Sequence, residues 1–183
     1  MNRNYRNITK HTFFIPGIIA ALVLISIIVF ASTRSNSEVV TIGEDNSRVS
    51  IAKPKAVQTL SKTYEFPLKD ESGKEVSKLK FVIENAELRD EVIVKGKRAI
   101  SVEGRTFLII NAKITNSYSK TIAVNARDYL RMTVNNSSDK TAADIHNDPV
   151  EVLADSTKTT RLGFPINDED KNITLLIGEL TGK

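Results

Sequence analysis

The sequence predicts an all-β fold, an antiparallel β-sandwich preceded by one N-terminal transmembrane α-helix. Three observations carry that prediction. Apolar residues alternate with polar ones at period two through the C-terminal two-thirds of the chain. Gly-, Asn- and Asp-rich turn signals separate those alternating runs. A single uncharged apolar stretch, Phe13–Ala31, stands apart near the N-terminus.

That stretch reads FFIPGIIAALVLISIIVFA, 19 residues. As a helix it would span about 28 Å, close to the roughly 30 Å hydrocarbon core of a bilayer. Pro16 falls in its first turn, where a missing N–H costs little. Lys10 and Arg34 bracket the run at headgroup depth. The competing reading is a cleavable signal peptide cut after Ala31, but such peptides have apolar cores of only about 7–15 residues. The length favours an uncleaved signal anchor, and the absence of cysteine excludes a lipoprotein. Arg3, Arg6 and Lys10 precede the span, which places the N-terminus in the cytoplasm and the remainder outside the cell membrane. The expected organisation is a cytoplasmic N-terminus over residues 1–11, a membrane helix over 12–33, a linker over 34–62 and an extracytoplasmic β-sandwich over 63–183. Lys53-Pro54-Lys55 would stiffen the linker, and a short strand within it is allowed.

Within the sandwich, Leu79, Phe81 and Ile83 form one face of a strand, and a slip in phase before Ala86 and Leu88 predicts a β-bulge. Leu108, Ile110, Ala112 and Ile114 line one side of a long strand whose other side begins apolar at Phe107 and Ile109, as in a central strand. Leu130, Met132 and Val134 continue the series, followed by Leu162, Phe164 and Ile166, then Ile173, Leu175 and Ile177. Six to eight strands are expected. A domain of this size holds an adequate core without staples.

Charge and composition exclude several functions. The chain carries 26 Lys and Arg against 22 Asp and Glu, net +4. Setting aside Arg3, Arg6 and Lys10 leaves 23 against 22 beyond residue 31, with the signs interspersed. No basic stripe suited to nucleic acid exists. Zero cysteines exclude disulfides, thiol catalysis and Cys-based metal sites, and only His11 and His146 are histidines.

The run Ser101-Val102-Glu103-Gly104-Arg105-Thr106-Phe107-Leu108-Ile109-Ile110-Asn111-Ala112-Lys113-Ile114-Thr115-Asn116 resembles the telokin-like, immunoglobulin-like exported domains grouped as domain of unknown function 4352. In those domains a Gly enters a hydrophobic strand that ends in a Thr-Asn turn. Ser156–Ile166 and Ile173–Ile177 look like that family's paired C-terminal strands. The resemblance spans about residues 76–180 and brings no catalytic motif. It implies an immunoglobulin-like sandwich on a secreted or membrane-anchored prokaryotic protein. Many members carry a lipobox Cys that this chain lacks.

Four local patterns are candidate sites. Asp144, His146 and Asp148 could ligate zinc or manganese, set against a solvated loop before Pro149. Asp168-Glu169-Asp170 begins like a calcium loop with Glu179 at position twelve, yet Ile173 stands where the turn needs Gly. Lys95-Gly96-Lys97-Arg98 is a basic loop that could meet an anionic polymer, or a plain soluble turn. Asn135, Asn136 and Asn172 head Asn-x-Ser/Thr triplets. No Ser-His-acid set or Gly-x-Ser-x-Gly elbow occurs in the exported part. The expectation is therefore no enzyme, no catalytic or metal residues and no cofactor. The partners expected are the lipid bilayer through the N-terminal helix and an envelope or surface protein through the sandwich. The alternatives are an accessory structural subunit of a membrane or envelope assembly and an enzyme or metal-dependent binding module using His146 and its neighbours.

Overall fold

A computed structural model describes residues 51–178, together with the backbone of Leu24–Ile28. In chain order the strands are β1 (Leu24–Ile28), β2 (Ala56–Lys69), β3 (Glu75–Arg89), β4 (Glu91–Val94), β5 (Lys97–Ile100), β6 (Arg105–Asn116) and β7 (Ile122–Val124). A short 3-10 helix, Ala126–Tyr129, then leads into β8 (Leu130–Thr133), β9 (Val150–Val152), β10 (Ser156–Asn167) and β11 (Ile173–Ile177). All pairings are antiparallel. One sheet has the order β10-β6-β3-β2, a second the order β1-β11-β8, and β4-β5 and β7-β9 are two-stranded pairs.

Alternation along the strands explains why two layers form. In β6, Leu108, Ile110, Ala112 and Ile114 are all buried to within 1% exposure. The same holds for Phe81 and Ile83 in β3 and for Leu162 and Phe164 in β10. Leu130 and Met132 of β8 and Ile173, Leu175 and Ile177 of β11 join them in one hydrophobic cluster, with Val124, Val150 and Val152 from β7 and β9. Two inner faces thus share one core, the arrangement of a sandwich. Each large aliphatic or aromatic side chain buried there contributes about 1.5–3 kcal/mol relative to exposure. Phe66 and Phe81 flank Tyr129 with ring centroids 4.8 and 6.0 Å away, closing the core beside the 3-10 helix.

The predicted phase slip in β3 is a register shift between Ile83 and Asn85 against β6. β6 is interior to its sheet, as its two apolar faces require. The outward Ile109 is 3% exposed. A Cβ on Gly163 would lie 2.9 Å from both Ile109 Cδ1 and Ile145 Cβ, so the missing side chain at Gly163 lets Ile109 and Ile145 meet.

Two boundaries differ from expectation. β2 begins at Ala56, inside the stretch read as linker, and the Lys55 amide donates to Leu88 O at 2.7 Å. Ala56, Gln58 and Leu60 alternate weakly, and a bulge between Thr59 and Lys62 with Ser61 at φ 48° hides the continuity with Tyr64 and Phe66. The described region also holds more strands than the six to eight expected, because β4, β5, β7 and β9 are only three or four residues long. Of the apolar run expected to span the membrane, Leu24–Ile28 form β1 against β11; the rest of the helix expected over 12–33 lies outside the described residues. Among the described residues no helix is long and apolar enough to cross a membrane.

Candidate binding surface

The β4–β5 hairpin projects from one end of the large sheet, because β3 delivers the chain at Arg89 and β6 takes it back at Arg105, opposite β3 in register. Its register pairs Glu91 with Ile100, Val92 with Ala99, Ile93 with Arg98 and Val94 with Lys97. Lys95 and Gly96 form the tip with φ of 49° and 77°, where Gly accepts the left-handed backbone without strain. The basic loop noted in the sequence is therefore the turn of a strand pair. What concealed the hairpin was the lack of alternation in its strands and the charge at its tip.

The hairpin is fastened at its base. Glu91, 6% exposed, accepts the Ala52 amide on one carboxylate oxygen and the Arg98 guanidinium on the other. The Ala52 hydrogen bond, helped by Arg98, holds the Glu91 carboxyl below its ordinary range against the opposing effect of desolvation. Arg89 donates to Ala52 O at 2.9 Å and pairs with Glu87 at 2.6 Å. Lys55 reaches Asp90 at 2.5 Å, and the Ser101 amide donates to Asp90 O at 2.7 Å. The segment entering the sandwich is thus tied to the root of the hairpin. Lys95 and Lys97 are exposed and make no ion pair among the described residues. Among the described residues, three of the four large exposed apolar side chains belong to this end: Val57 (55%), Ile100 (66%) and Val102 (66%). Exposed aliphatic groups at the end that also carries these cations suit a surface that becomes buried in a complex.

The other candidates are built into the scaffold. Asp148, its side chain 4% exposed, accepts the amides of Ala126 at 2.8 Å and Arg127 at 2.9 Å, capping the 3-10 helix. His146 lies 3.3 Å from Arg127 Nη1 and accepts the Asp148 amide at 3.2 Å on Nδ1. Asp144 is exposed, and its amide donates to Gly163 O. The loop is fastened rather than freely solvated, and its buried carboxylate is occupied by backbone. Asp170 likewise accepts from Asn167 N at 2.8 Å and Asn135 Nδ2 at 2.7 Å, while Asn135 Oδ1 takes the Lys171 amide at 2.8 Å. These bonds join the β8 end to the β10–β11 turn, and Ile173 begins a strand where a calcium loop would continue. Glu179 lies outside the described residues. Among the described residues no three His, Cys, Asp or Glu side chains are placed to hold a metal ion.

Sequence reading gave Asn116 no role beyond a turn. It is fully buried, and its amide nitrogen donates to Lys120 O, Val152 O and Leu153 O at 2.8, 3.2 and 3.0 Å. Its oxygen accepts the Tyr118 amide at 2.9 Å. It pins the end of the sandwich opposite the hairpin. The signal available was the Thr115-Asn116 pair closing a hydrophobic strand.

The described chain is thus a two-layer antiparallel β-sandwich with one fastened, apolar and basic hairpin. Known structures include similar chains. An uncharacterized β-sandwich protein of Clostridium difficile is 18% identical with a TM-score of 0.44, over 55% of this chain and 80% of that one. A conserved hypothetical protein of Bacillus anthracis is 15% identical with a TM-score of 0.43, over 67% of this chain and 95% of that one. No family model and no curated protein matches the chain.

Proposed function

We propose that this protein is a membrane-anchored, extracytoplasmic, immunoglobulin-like binding module at a prokaryotic cell surface, and that it acts without catalysis. The observation that carries the reading is the β4–β5 end of the sandwich, which carries Ile100 and Val102, each 66% exposed, at the hairpin's root and the exposed Lys95 and Lys97 at its tip. Interfaces draw their energy from apolar groups that lose water, and rim cations select a partner of opposite charge. The Ala52–Glu91 contact supports the same end facing the membrane, because the tether from the anchor would enter there. The partner is then an envelope protein with an apolar patch rimmed by acidic groups. The resemblance to the domain of unknown function 4352 group agrees with this placement.

The chain's lack of cysteine makes the test clean. Full-length protein with Lys97→Cys or, at the opposite end, Leu153→Cys is labelled with a benzophenone and irradiated on intact spheroplasts. The reading predicts a discrete adduct from position 97 that is lost in a K95E background, which leaves the Arg98–Glu91 fastening intact, and none from position 153. Equal adducts from both positions would contradict it.

A further inference from the structure

We infer that the outer edge of β11 is a strand-accepting surface that takes an extended, uncharged apolar segment of a partner protein. The strands at the margins of the two main sheets are protected in different ways. Open strand edges recruit other strands unless a charge, a proline, a bulge or a covering segment blocks them. β2 carries a bulge between Thr59 and Lys62, the left-handed Ser61, and Pro67. β10 is covered by Ile145, which exchanges two backbone hydrogen bonds with Gly163 at 2.7 and 3.1 Å, and it contains Pro165. β8 is covered by Thr141 through two bonds to Met132 at 2.9 and 2.8 Å. β11 has no charge, proline or bulge of its own, and β1 is the one segment that covers its outer side. Its sequence Ile173-Thr174-Leu175-Leu176-Ile177 holds no charge, proline or glycine, and opposite β8 its neighbour is β1.

β1 shows the chemistry the edge accepts. Leu24-Ile25-Ser26-Ile27-Ile28 lies antiparallel over the full length of β11, with Leu24 opposite Ile177 and Ile28 opposite Ile173. Main-chain bonding of this kind gives affinity, and alternate side chains give selectivity. The same five residues belong to the apolar run read as the membrane span, so they cannot occupy the bilayer and the edge together. When the run is in the membrane, the edge is open to a strand of like composition from outside. That a partner's segment takes this edge rests on the anchor reading, since only withdrawal of β1 into the membrane uncovers it; the chemistry the edge accepts is shown by β1 itself.

The test uses the full chain in phospholipid nanodiscs. Ile27→Cys with Thr174→Cys places the only two cysteines at a register pair, and oxidation traps β1 if it is seated. A second arm adds a peptide of residues Val23–Val29 with two lysines at each end and follows amide exchange across Ile173–Ile177. A control peptide carries proline at the Ser26 position. With the anchor embedded, we expect no disulfide, at least a tenfold slowing of exchange with the peptide, and no slowing with the proline peptide. An intramolecular disulfide would show the edge filled by the chain's own β1 and would overturn both the partner's segment and the anchor. A disulfide-linked dimer would support the edge and make a second copy the partner. Absence of any disulfide together with unchanged exchange, or equal slowing by both peptides, would overturn the proposal.

Discussion

At the scale of single residues, the polar groups that read as candidate ligands act as fasteners for loops. Asn116 is the sharpest case, since its one side chain satisfies four backbone groups at the closed end of the sandwich. Asn116→Ala removes these bonds at a buried position, although Leu153 O keeps the Ser156 hydroxyl, and should cost about 2–3 kcal/mol in urea unfolding. The loop before Pro149 separates two roles that proximity in sequence confuses. Asp148→Ala removes the cap on Ala126 and Arg127 and should cost about 1–3 kcal/mol. His146→Ala should shift stability by no more than about 0.5 kcal/mol, and added zinc should stabilise neither protein. A zinc-dependent rise in melting temperature of the wild type that H146A abolishes would restore the metal reading. Gly163→Ala drives a methyl group into Ile109 and Ile145 and should cost about 1–3 kcal/mol, with part of the loss recovered in a G163A/I145A double variant. Gly163 looked like any glycine in a strand; the contact that explains it joins residues 18 positions apart in sequence.

At the scale of elements, legibility followed alternation rather than strand length. The strands β6 and β10 were plain because Ile110 and Phe164 sit in alternating runs, and so were β8 and β11, at four and five residues. The start of β2 was hidden by its bulge, although the strand is 14 residues long. The β4–β5 hairpin was hidden because Val92-Ile93-Val94 is continuously apolar and Lys97-Arg98 continuously basic, which leaves no period of two to read. The hairpin's root also makes a prediction about acid. Glu91 has a folded pKa lowered by the Ala52 amide and Arg98, so its stabilising contribution is complete above its ordinary value of 4.5. That contribution is lost as pH falls through the lower folded value. Asp70 behaves alike in the β2–β3 turn, where the Ser72 hydroxyl and the Ser72 and Lys74 amides bind its carboxylate. The difference in melting temperature between wild type and Glu91→Gln should therefore shrink between about pH 6 and about pH 3. A difference that stays constant over that range would show that the Glu91 charge does not hold the hairpin.

At the scale of the whole molecule, one sandwich presents two distinct surfaces, an apolar and basic hairpin and the outer side of β11, which β1 covers. The core that supports them is aliphatic and aromatic, and the described residues contain no cysteine. Thermal unfolding of the full chain should accordingly be unaffected by chelator or reductant, and its far-UV circular dichroism beyond the anchor should be that of strand. What the sequence could not convey was which ends of the sandwich carry exposed apolar groups. Ile100 and Val102 alternate with polar neighbours like core residues, and only the termination of the sheet at that end leaves them in solvent. On the proposed function, this sandwich is held at the outer face of the cell membrane by its uncleaved N-terminal run. Protease added to intact spheroplasts tests it most directly, with the membrane fraction analysed by mass spectrometry. The account predicts that the sandwich is digested while a small membrane-embedded fragment retaining Arg3, Arg6 and Lys10 survives. A soluble chain in the medium beginning at Ser32, or a sandwich that resists protease until the membrane is lysed, would contradict it.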